Sequence, residues 1–254
     1  MKGYLLSGGK LGYRYFPKVA CTSIKTALYE IDEQKRFSRD ESGMHIHQYV
    51  KMNKLAEMDG CERRFVVIRD PVKRLLSAYS NRVTYHKELS EKYIREKASK
   101  YYDTIPYFDP TLDQFVDNLG VYLNIGVIKH HVRPVSYFME GEGLNYFTDV
   151  YRMEDISQFE SDLSEVFERE VTFEHKQTGG KKLSLKDLSA GQVRKLLKYY
   201  KKDYTLLRNY YSEDAVWEEW KKENNCSNSS LKFQLICDWV GFSRSKVIKQ
   251  RQSA

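Results

Sequence analysis

The chain has 254 residues, a formal net charge of +7 and 41% hydrophobic residues, which suit one sizeable α/β domain over residues 1–254 without a dividing linker. No apolar run approaches the roughly 20 residues of a membrane-spanning helix, and the first residues lack the apolar core of a signal peptide, so we expect a cytoplasmic protein. The positive charge favours polyanionic partners such as acidic glycans, nucleotides, nucleic acid or acidic membranes.

The cysteines and tyrosines narrow the kind of site to expect. Four cysteines, at positions 21, 61, 226 and 237, lack the spacing of a zinc site or a disulfide framework, so we expect no metal. The 20 tyrosines are many, and tyrosine suits a surface that stacks on sugars or bases.

The first residues predict a hairpin that leads into a strand. Gly8-Gly9 lies between two apolar stretches, which is typical of a turn, so we expect the residues before it to form an edge strand. Alternation from Gly12 to Phe16 predicts the next strand, and Pro17 ends its hydrogen-bond ladder.

A loop of small residues with one lysine follows this strand. The Thr22-Ser23 pair stands where a helix running to about Ile31 would need its N-cap. Amide groups at such a helix start, together with the helix dipole, favour an anion in the loop, and Lys18 adds positive charge. The stretch therefore predicts a phosphate site, although an ordinary turn with a solvated lysine fits it equally well on its own.

A second stretch has the same strand-to-helix character. The apolar run from Phe65 to Ile68 predicts a buried central parallel strand, and Asp70-Pro71 is a strong helix opening with Asp at the N-cap. Arg69 then lies at the carboxyl end of the strand, where ligands of α/β sheets bind. We expect Ser77, about two turns into the helix, to join Arg69 at one phosphate.

Two histidines, His45 and His47, lie between these stretches. Residues at i and i+2 face the same side of an extended backbone, so we expect both rings on one side. A metal site would need a further ligand that no nearby residue pattern supplies. Taken alone, such a pair is more often exposed or structural than catalytic.

The middle of the chain is richer in charge. Lys87 to Lys100 predicts a solvated helix whose lysines could equally line a groove for an acidic substrate. Thr111 opens a capping box for a short helix. We expect Val121 to Val127 to form a strand or loop that leads to a cationic cluster at Lys129 to Pro134.

The last third is predicted to be mostly helical. Phe147 to Tyr151 alternates as a strand does, and Ser157 opens an amphipathic helix with a capping box. Further segments are predicted as a flexible basic loop at Thr178 to Lys182, helices at about Ala190 to Tyr210, Glu213 to Glu223 and Leu231 to Val240, and a frayed tail at Ser243 to Ala254.

Two of these stretches, in this order, resemble the donor-binding motifs of carbohydrate sulfotransferases that use 3′-phosphoadenosine 5′-phosphosulfate (PAPS). Pro17 to Ser23 is similar to the loop for the 5′-phosphosulfate, and Arg69-Asp70-Pro71 with Arg74, Ser77 and Tyr79 is similar to the motif for the 3′-phosphate. The chain most resembles the group of chondroitin and HNK-1 sulfotransferases, heparan sulfate 2-O-sulfotransferase and bacterial relatives.

Weaker similarities extend the resemblance to about residues 11–211. They are His131-Val132-Arg133-Pro134, Tyr151-Arg152-Met153-Glu154 and Lys202-Asp203-Tyr204. The family implies a P-loop-like three-layer α/β sandwich with a central parallel sheet and a helical C-terminal part, here with an extension at about 212–254. Its animal members are Golgi-anchored, so we expect the Golgi lumen only if this chain is a domain of a longer protein.

The resemblance also implies roles for individual residues. The donor-binding residues would be Lys18, Val19, Ala20, Cys21, Thr22, Ser23, Arg69 and Ser77, and the acceptor-binding residues His45, His131 and Arg133. Lys18 would stabilise the leaving phosphate, and His47 would be the base, with His131 in reserve and Glu154 able to orient either. The segment around His175-Lys176 would cover the donor.

The function implied is transfer of a sulfuryl group from PAPS to a carbohydrate hydroxyl, without a metal. The lysines and arginines of Lys87 to Lys100 and Lys129 to Arg133 favour an acidic glycan as acceptor, and we expect no nucleic acid partner. Two alternatives stay open at this point: a metal-free phosphate-binding enzyme of kinase type, and a non-catalytic module that binds polyanions.

Overall fold

A computed structural model describes residues 2–50, 53–139, 141–174 and 179–225, and shows an α/β fold around one mixed sheet. The strands are β1 (Lys2–Leu6), β2 (Leu11–Arg14), β3 (Asn53–Lys54), β4 (Arg63–Ile68) and β5 (Asp149–Arg152), in the order β3-β1-β2-β4-β5. The segments that lie outside the described residues are the predicted cover at His175-Lys176, Cys226, Cys237, the predicted helix at Leu231 to Val240 and the predicted tail at Ser243 to Ala254.

The centre of the sheet is parallel, as predicted. β4 pairs in parallel with β2 on one side and β5 on the other, and the residues from Phe65 to Ile68 are fully buried. The predicted hairpin is also confirmed, because β1 is antiparallel to β2 across a turn in which Gly8 has a φ of 66°. The prediction of β1 as an edge strand was wrong, since β3 pairs with Lys2 and Gly3.

Helices surround this sheet. They are α1 (Cys21–Asp32), α2 (Arg39–Ser42), α3 (Ile46–Tyr49), α4 (Pro71–Ala78), α5 (Glu91–Lys97), α6 (Leu112–Asp117), α7 (Leu119–Tyr122), α8 (Gly126–Val132), α9 (Val135–Met139), α10 (Ile156–Val166), α11 (Ala190–Tyr199), α12 (Lys201–Leu206) and α13 (Glu213–Glu223). A π-helical turn, Tyr79–Tyr85, continues α4. No helix in the described part of the chain combines the length and apolar character needed to span a membrane.

Side chains of β2 show that helices lie on both faces of the sheet. The ring of Tyr13 contacts Phe159 of α10 with ring centroids 6.3 Å apart. The next residue, Arg14, donates a hydrogen bond of 3.0 Å to the carbonyl oxygen of Phe138 in α9. Because neighbouring residues of a strand point to opposite faces, α10 and α9 cover opposite faces of the sheet.

Local sequence signals placed several helix starts correctly. The Asp70 carboxylate accepts hydrogen bonds of 3.0 Å from the amides of Val72 and Lys73, with Pro71 in the first turn. Thr111 forms the predicted capping box at the start of α6. The helix predicted at Glu213 to Glu223 has those bounds.

Other predictions failed where contacts distant in sequence decide the conformation. The stretch from Val121 to Val127 is neither strand nor loop throughout, because it contains the end of α7 and the start of α8, whose Ile128 is buried. The helix predicted from Ala190 to Tyr210 breaks at Tyr200, whose buried hydroxyl donates 2.5 Å to the carbonyl oxygen of Val132. α10 begins at Ile156 without the predicted capping box.

One buried arginine binds the carbonyl oxygens at the end of α8, where the chain passes to α9. Arg74 of α4 is completely buried, and its guanidinium donates 2.9 Å to the carbonyl oxygen of His131, 3.4 Å to that of Val132 and 2.5 Å to that of Arg133. A cation at the C-terminal end of a helix is also favoured by the helix dipole. We call residues 131–136 the 131–136 link.

The 131–136 link is held from the other side by a carboxylate of α12. Asp203 is completely buried and accepts hydrogen bonds of 2.7 Å from the amide of Val135 and 2.8 Å from that of Ser136. Its neighbour Tyr204 donates 3.0 Å to the Asp70 carboxylate at the start of α4. Three of the sequence motifs therefore meet in one buried polar cluster.

We predict that Arg74→Leu lowers the free energy of unfolding by about 3–5 kcal/mol, since three carbonyl oxygens would lose their charged donor in the interior. Urea unfolding followed by circular dichroism measures this loss. The adjacent Lys73→Met is the control, because its ion pair with Glu219 is 2.8 Å long but partly exposed and contributes about 0–1 kcal/mol. Similar losses in both variants would contradict the structural role of Arg74.

Candidate active site

The predicted donor loop, Pro17 to Ser23, connects β2 to α1 at the carboxyl end of the strand. Lys18 and Ala20 adopt left-handed backbone conformations, with φ of 69° and 54°. α1 begins at Cys21, and its N-cap is Ala20, which has no side-chain oxygen to cap the first amides. The predicted N-cap role of Thr22-Ser23 was therefore wrong, and both residues lie inside the first turn of α1.

Lys18 connects the loop to the second motif in two ways. Its ammonium donates 2.8 Å to Oδ1 of Asn81, in the π-helical turn after α4. Its carbonyl oxygen accepts 3.2 Å from the guanidinium of Arg69, which follows β4. Burial and the nearby Arg82 lower the pKa of Lys18 to about 8, so the side chain still carries its charge at neutral pH.

Arg69 and Ser77 of the second motif, and Glu154 near them, differ in their burial and in their hydrogen-bond partners. Burial lowers the pKa of Arg69, and the nearby carboxylate of Glu154 partly offsets this effect. Glu154 itself accepts a 2.5 Å hydrogen bond from the hydroxyl of Tyr211. Glu154 contacts neither His47 nor His131 in the described structure, so its predicted orienting role was wrong. Ser77 is half-buried in α4, and no hydrogen bond joins it to Arg69 among the described residues.

Arg74 and Tyr79, which also belong to the second motif, are structural. Arg74 holds the 131–136 link, and the Tyr79 hydroxyl donates 2.9 Å to the carbonyl oxygen of Pro110. Neither side chain is therefore available to a ligand in this conformation.

Only the first of the two histidines that follow α2 has an extended backbone, and His47 lies in α3, which corrects the sequence prediction. His45 is the N-cap of α3, and its Nδ1 accepts from the amide of His47 at 3.3 Å. The two rings still stack, with centroids 4.9 Å apart. The ring of Tyr15 also lies near His47, with ring centroids 5.9 Å apart.

The structure places His47 against the donor loop. Its Nε2 lies 3.1 Å from Oγ1 of Thr22 and 3.7 Å from Sγ of Cys21. Its Nδ1 is buried without a hydrogen-bond partner among the described residues. Burial and the buried ammonium of Lys25 lower the pKa of His47 to about 3, so the imidazole is neutral.

His131, the reserve base, lies on α8 in a similar environment. Its Nδ1 contacts the carbonyl oxygen of Val127 at 2.8 Å, and since a carbonyl can only accept, Nδ1 carries the hydrogen and Nε2 the lone pair. Burial and the charge of Arg82 lower the pKa of His131 to about 3. Both candidate bases are therefore neutral before any ligand binds.

A cavity of about 200 Å³ brings the two histidines and the donor loop together. It is lined by Tyr15, Pro17, Lys18, Cys21, Thr22, His47, Arg82, His130 and His131. None of these residues is acidic. Seven predicted site residues lie outside this lining: Val19, Ala20, Ser23, His45, Arg69, Ser77 and Arg133.

The sequence analysis missed Asn81 and Arg82. Both follow Ser77 by about one helical turn, and both lie in the π-helical turn that continues α4. The π-helical turn changes which side chains face the loop, so that Asn81 accepts from Lys18 while Arg82 lines the cavity. Arg82 also donates 3.1 Å to the carboxylate of Glu88.

Part of the predicted basic loop at Thr178 to Lys182 lies on the same turn. The hydroxyl of Ser80 donates 2.5 Å to the carbonyl oxygen of Lys181. The described end of this loop, residues 179–182, therefore packs against Ser80 and Tyr85 of the π-helical turn.

Comparison with known proteins supports one family. A family model described as the sulfotransferase family matches residues 8–212, which is most of the chain and includes both motifs. No curated protein and no solved structure matches the chain.

We predict that the imidazole of His47 stays neutral at about pH 5, because its pKa is lowered to about 3 while an unfolded histidine titrates near 6.5. The unfolded chain then binds more protons between these values, so His47 contributes stability above about pH 6.5 that is lost as the pH falls. The His47→Gln variant should therefore lose less unfolding free energy between about pH 7 and 5 than the wild type.

NMR titration of the histidine ring resonances, assigned with His47→Gln, measures the protonation directly. The control variant is His86→Gln, because His86 is exposed and should titrate with less effect on stability. A His47 resonance that titrates near 6.5 would contradict the buried, neutral imidazole.

Proposed function

Because the chain belongs to the sulfotransferase family, we propose that it transfers a sulfuryl group from PAPS to a hydroxyl of an acidic carbohydrate. One observation carries the proposal: the 3.2 Å hydrogen bond from Arg69 to the carbonyl oxygen of Lys18. It places the loop after β2 and the motif after β4 side by side at the carboxyl ends of neighbouring parallel strands, where α/β proteins bind ligands.

The two motifs suit the two ends of this donor. The ammonium of Lys18 and the amides of the first turn of α1 would bind the 5′-phosphate, in a P-loop-like arrangement of strand, loop and helix. Arg69 and Ser77 would bind the 3′-phosphate, which distinguishes the donor from ATP. Side chains and amides would meet both phosphates, so the reaction as proposed uses no metal.

Lys18 would act where charge develops during the reaction. As the bond from sulfur to the bridging oxygen breaks, negative charge grows on the departing 5′-phosphate, and a nearby ammonium stabilises it. Removing one such interaction typically costs on the order of 3 to 4 kcal/mol in the barrier. The in-line displacement would then place the acceptor hydroxyl on the cavity side of the sulfur.

His47 would remove the proton of the acceptor hydroxyl. Its Nε2 contacts Oγ1 of Thr22, which would turn towards the 5′-phosphate when the donor binds and free the imidazole nitrogen. The negative charge of the donor would also raise the pKa of His47, towards the range that suits a general base. His131 lines the same cavity and is the second candidate.

The cavity also supports an anionic acceptor. Two cations, Lys18 and Arg82, and three histidines line it without an acidic side chain. Such a cavity attracts negatively charged molecules and disfavours positively charged ones. Of the carbohydrates, those with carboxylate or sulfate groups match this charge.

Donor binding tests the proposal first. Adenosine 3′,5′-bisphosphate, which keeps both phosphates of the donor, should raise the melting temperature. A ligand present at about 100 times its Kd adds about 2.7 kcal/mol to the free energy of unfolding. Arg69→Ala should remove most of this shift. The control Arg95→Ala should keep it, because Arg95 pairs with Glu91 on the exposed surface of α5.

AMP and ATP, which lack the 3′-phosphate, should shift the melting temperature much less. A larger shift with ATP than with adenosine 3′,5′-bisphosphate would contradict the proposed donor and favour an enzyme of kinase type.

We predict that His47→Ala lowers kcat by about 10²-fold or more, the usual loss for a general base, while the Kd for adenosine 3′,5′-bisphosphate hardly changes. His131→Ala should change donor or acceptor binding at least as much as kcat. Steady-state kinetics and thermal melts of both variants separate catalysis from folding. A wild-type kcat in the His47 variant would rule this residue out as the base.

A further inference from the structure

One charged residue of the cavity has no role in the reaction as described so far. The proposed function assigns Lys18 to the 5′-phosphate and Arg69 to the 3′-phosphate, and it assigns no residue to the sulfuryl group. Besides Lys18, Arg82 is the cation among the described residues that line the cavity. Its side chain is 22% exposed, so it is largely enclosed by protein.

The charge of Arg82 acts on the lysine and on both candidate bases. Burial lowers the pKa of Lys18 and of His131, and the charge of Arg82 lowers both further. Burial is also the main cause of the low pKa of His47, and Arg82 contributes to it. Since such effects weaken with distance, the guanidinium lies near the part of the cavity that these three residues share.

The π-helical turn fixes the backbone of Arg82. The amide of His86 donates 2.9 Å to the carbonyl oxygen of Asn81, five residues earlier, and such hydrogen bonds define a π-helix. The amide of Glu88 donates 3.0 Å to the carbonyl oxygen of Arg82 itself. The neighbouring Asn81 accepts 2.8 Å from the ammonium of Lys18. The backbone of Arg82 is therefore fixed relative to the donor loop.

The guanidinium of Arg82 is bound at one nitrogen and has free donors at the others. Its Nη1 donates 3.1 Å to Oε1 of Glu88, a residue that is only 9% exposed. Its Nε is buried without a partner, and the described part of the chain supplies no second acceptor to this side chain. Most N–H donors of the guanidinium can therefore bind a ligand, and an acceptor from a ligand would offset the cost of the unpaired Nε.

A sulfuryl group has the chemistry that such a guanidinium binds. Its oxygens share negative charge as the group passes from donor to acceptor, as the oxygens of a transferred phosphoryl group do. The planar fork of an arginine can donate to two of these oxygens together, whereas a lysine is a point charge. Arg82 suits the group in transfer, and Lys18 suits the phosphate that departs.

We propose that Arg82 is a catalytic residue that binds two oxygens of the sulfuryl group during its transfer. The bond from sulfur to the bridging oxygen breaks, and its electron pair stays on the departing 5′-phosphate. A bond forms from the acceptor oxygen to sulfur, and the acceptor proton passes to Nε2 of His47. The inference rests on the proposed function and adds to it a residue that lies outside both donor motifs.

Other roles for Arg82 predict different effects of its removal. If Arg82 only stabilises the fold through Glu88, its loss lowers the melting temperature and leaves the relative affinities of ligands unchanged. If it binds the 5′-phosphate, its loss weakens every ligand that carries this phosphate to the same extent. If it binds only the acceptor, its loss leaves the affinities of nucleotides unchanged.

Two nucleotides separate these roles without an acceptor. Adenosine 3′,5′-bisphosphate lacks the transferred group, and adenosine 3′-phosphate 5′-diphosphate carries a phosphoryl group in its place. Calorimetry with the full chain gives the ratio of the two Kd values. We expect the wild type to prefer the diphosphate by about 10-fold or more, the usual effect of a charged hydrogen bond. Arg82→Gln should lose most of this preference, while its Kd for the bisphosphate changes by less than about 3-fold.

Three further variants serve as controls. Arg95→Gln removes the arginine of another pair with a glutamate, Glu91, which is exposed on α5, and should keep the preference of the wild type. Arg82→Lys keeps the charge without the planar fork and should recover part of the preference. If the unpaired Glu88 prevents Arg82→Gln from folding, the double variant Arg82→Gln with Glu88→Gln removes both charges and takes its place.

The outcomes distinguish this role from the proposed function. Equal binding of both nucleotides by the wild type, or an unchanged preference in Arg82→Gln, would overturn the role of Arg82 while the bound bisphosphate still supports the donor site. Equal weakening of both nucleotides in Arg82→Gln would overturn it in favour of a contact with the 5′-phosphate. A wild type that binds neither nucleotide would contradict the proposed function, and the role of Arg82 with it.

Discussion

The buried guanidinium of Arg74 is the interaction on which the geometry of the site depends. It satisfies three consecutive carbonyl oxygens where α8 ends, and Asp203 satisfies the amides where α9 begins. Between these two charges the chain has little freedom, because any shift would leave several buried polar groups without partners. His131 in the cavity and Arg133 beside it consequently have fixed positions relative to the start of α4, and through Arg69 relative to Lys18.

The cavity contains positive charge but no acidic side chain, which suits a site whose ligands are negatively charged. Lys18 and Arg82 lie at a cavity without acidic lining, and the pKa values of Lys18, His47 and His131 are all lowered. Anionic groups of a donor would reverse these shifts, since a nearby negative charge favours the protonated forms. The histidines are therefore neutral in this structure, and the charge of a bound donor would raise the pKa of each.

Features that depend on neighbouring residues could be predicted from the sequence, whereas those that depend on distant contacts could not. The buried strand before Arg69 and the helix start at Asp70 could be predicted from local composition and capping. The loop with Lys18 could be recognised because it comes before the Arg69 motif, in the order that the resemblance requires. Two features depend on packing between separate segments. One is the N-cap role of His45, and the other is the π-helical segment that points Asn81 towards Lys18. Of the site residues predicted by resemblance, some line one cavity and the others lie outside its lining.

The most direct test of the proposed chemistry is transfer of radiolabelled sulfate from PAPS to a panel of acidic and neutral glycans. We predict label in at least one acidic glycan, and little or none with Lys18→Met, which keeps the length of the side chain but not its charge. The variant Lys73→Met, which removes a partly exposed lysine of α4, should transfer label as the wild type does. Absence of transfer to every glycan by a folded wild type that binds adenosine 3′,5′-bisphosphate, or full transfer by Lys18→Met, would contradict the proposed function.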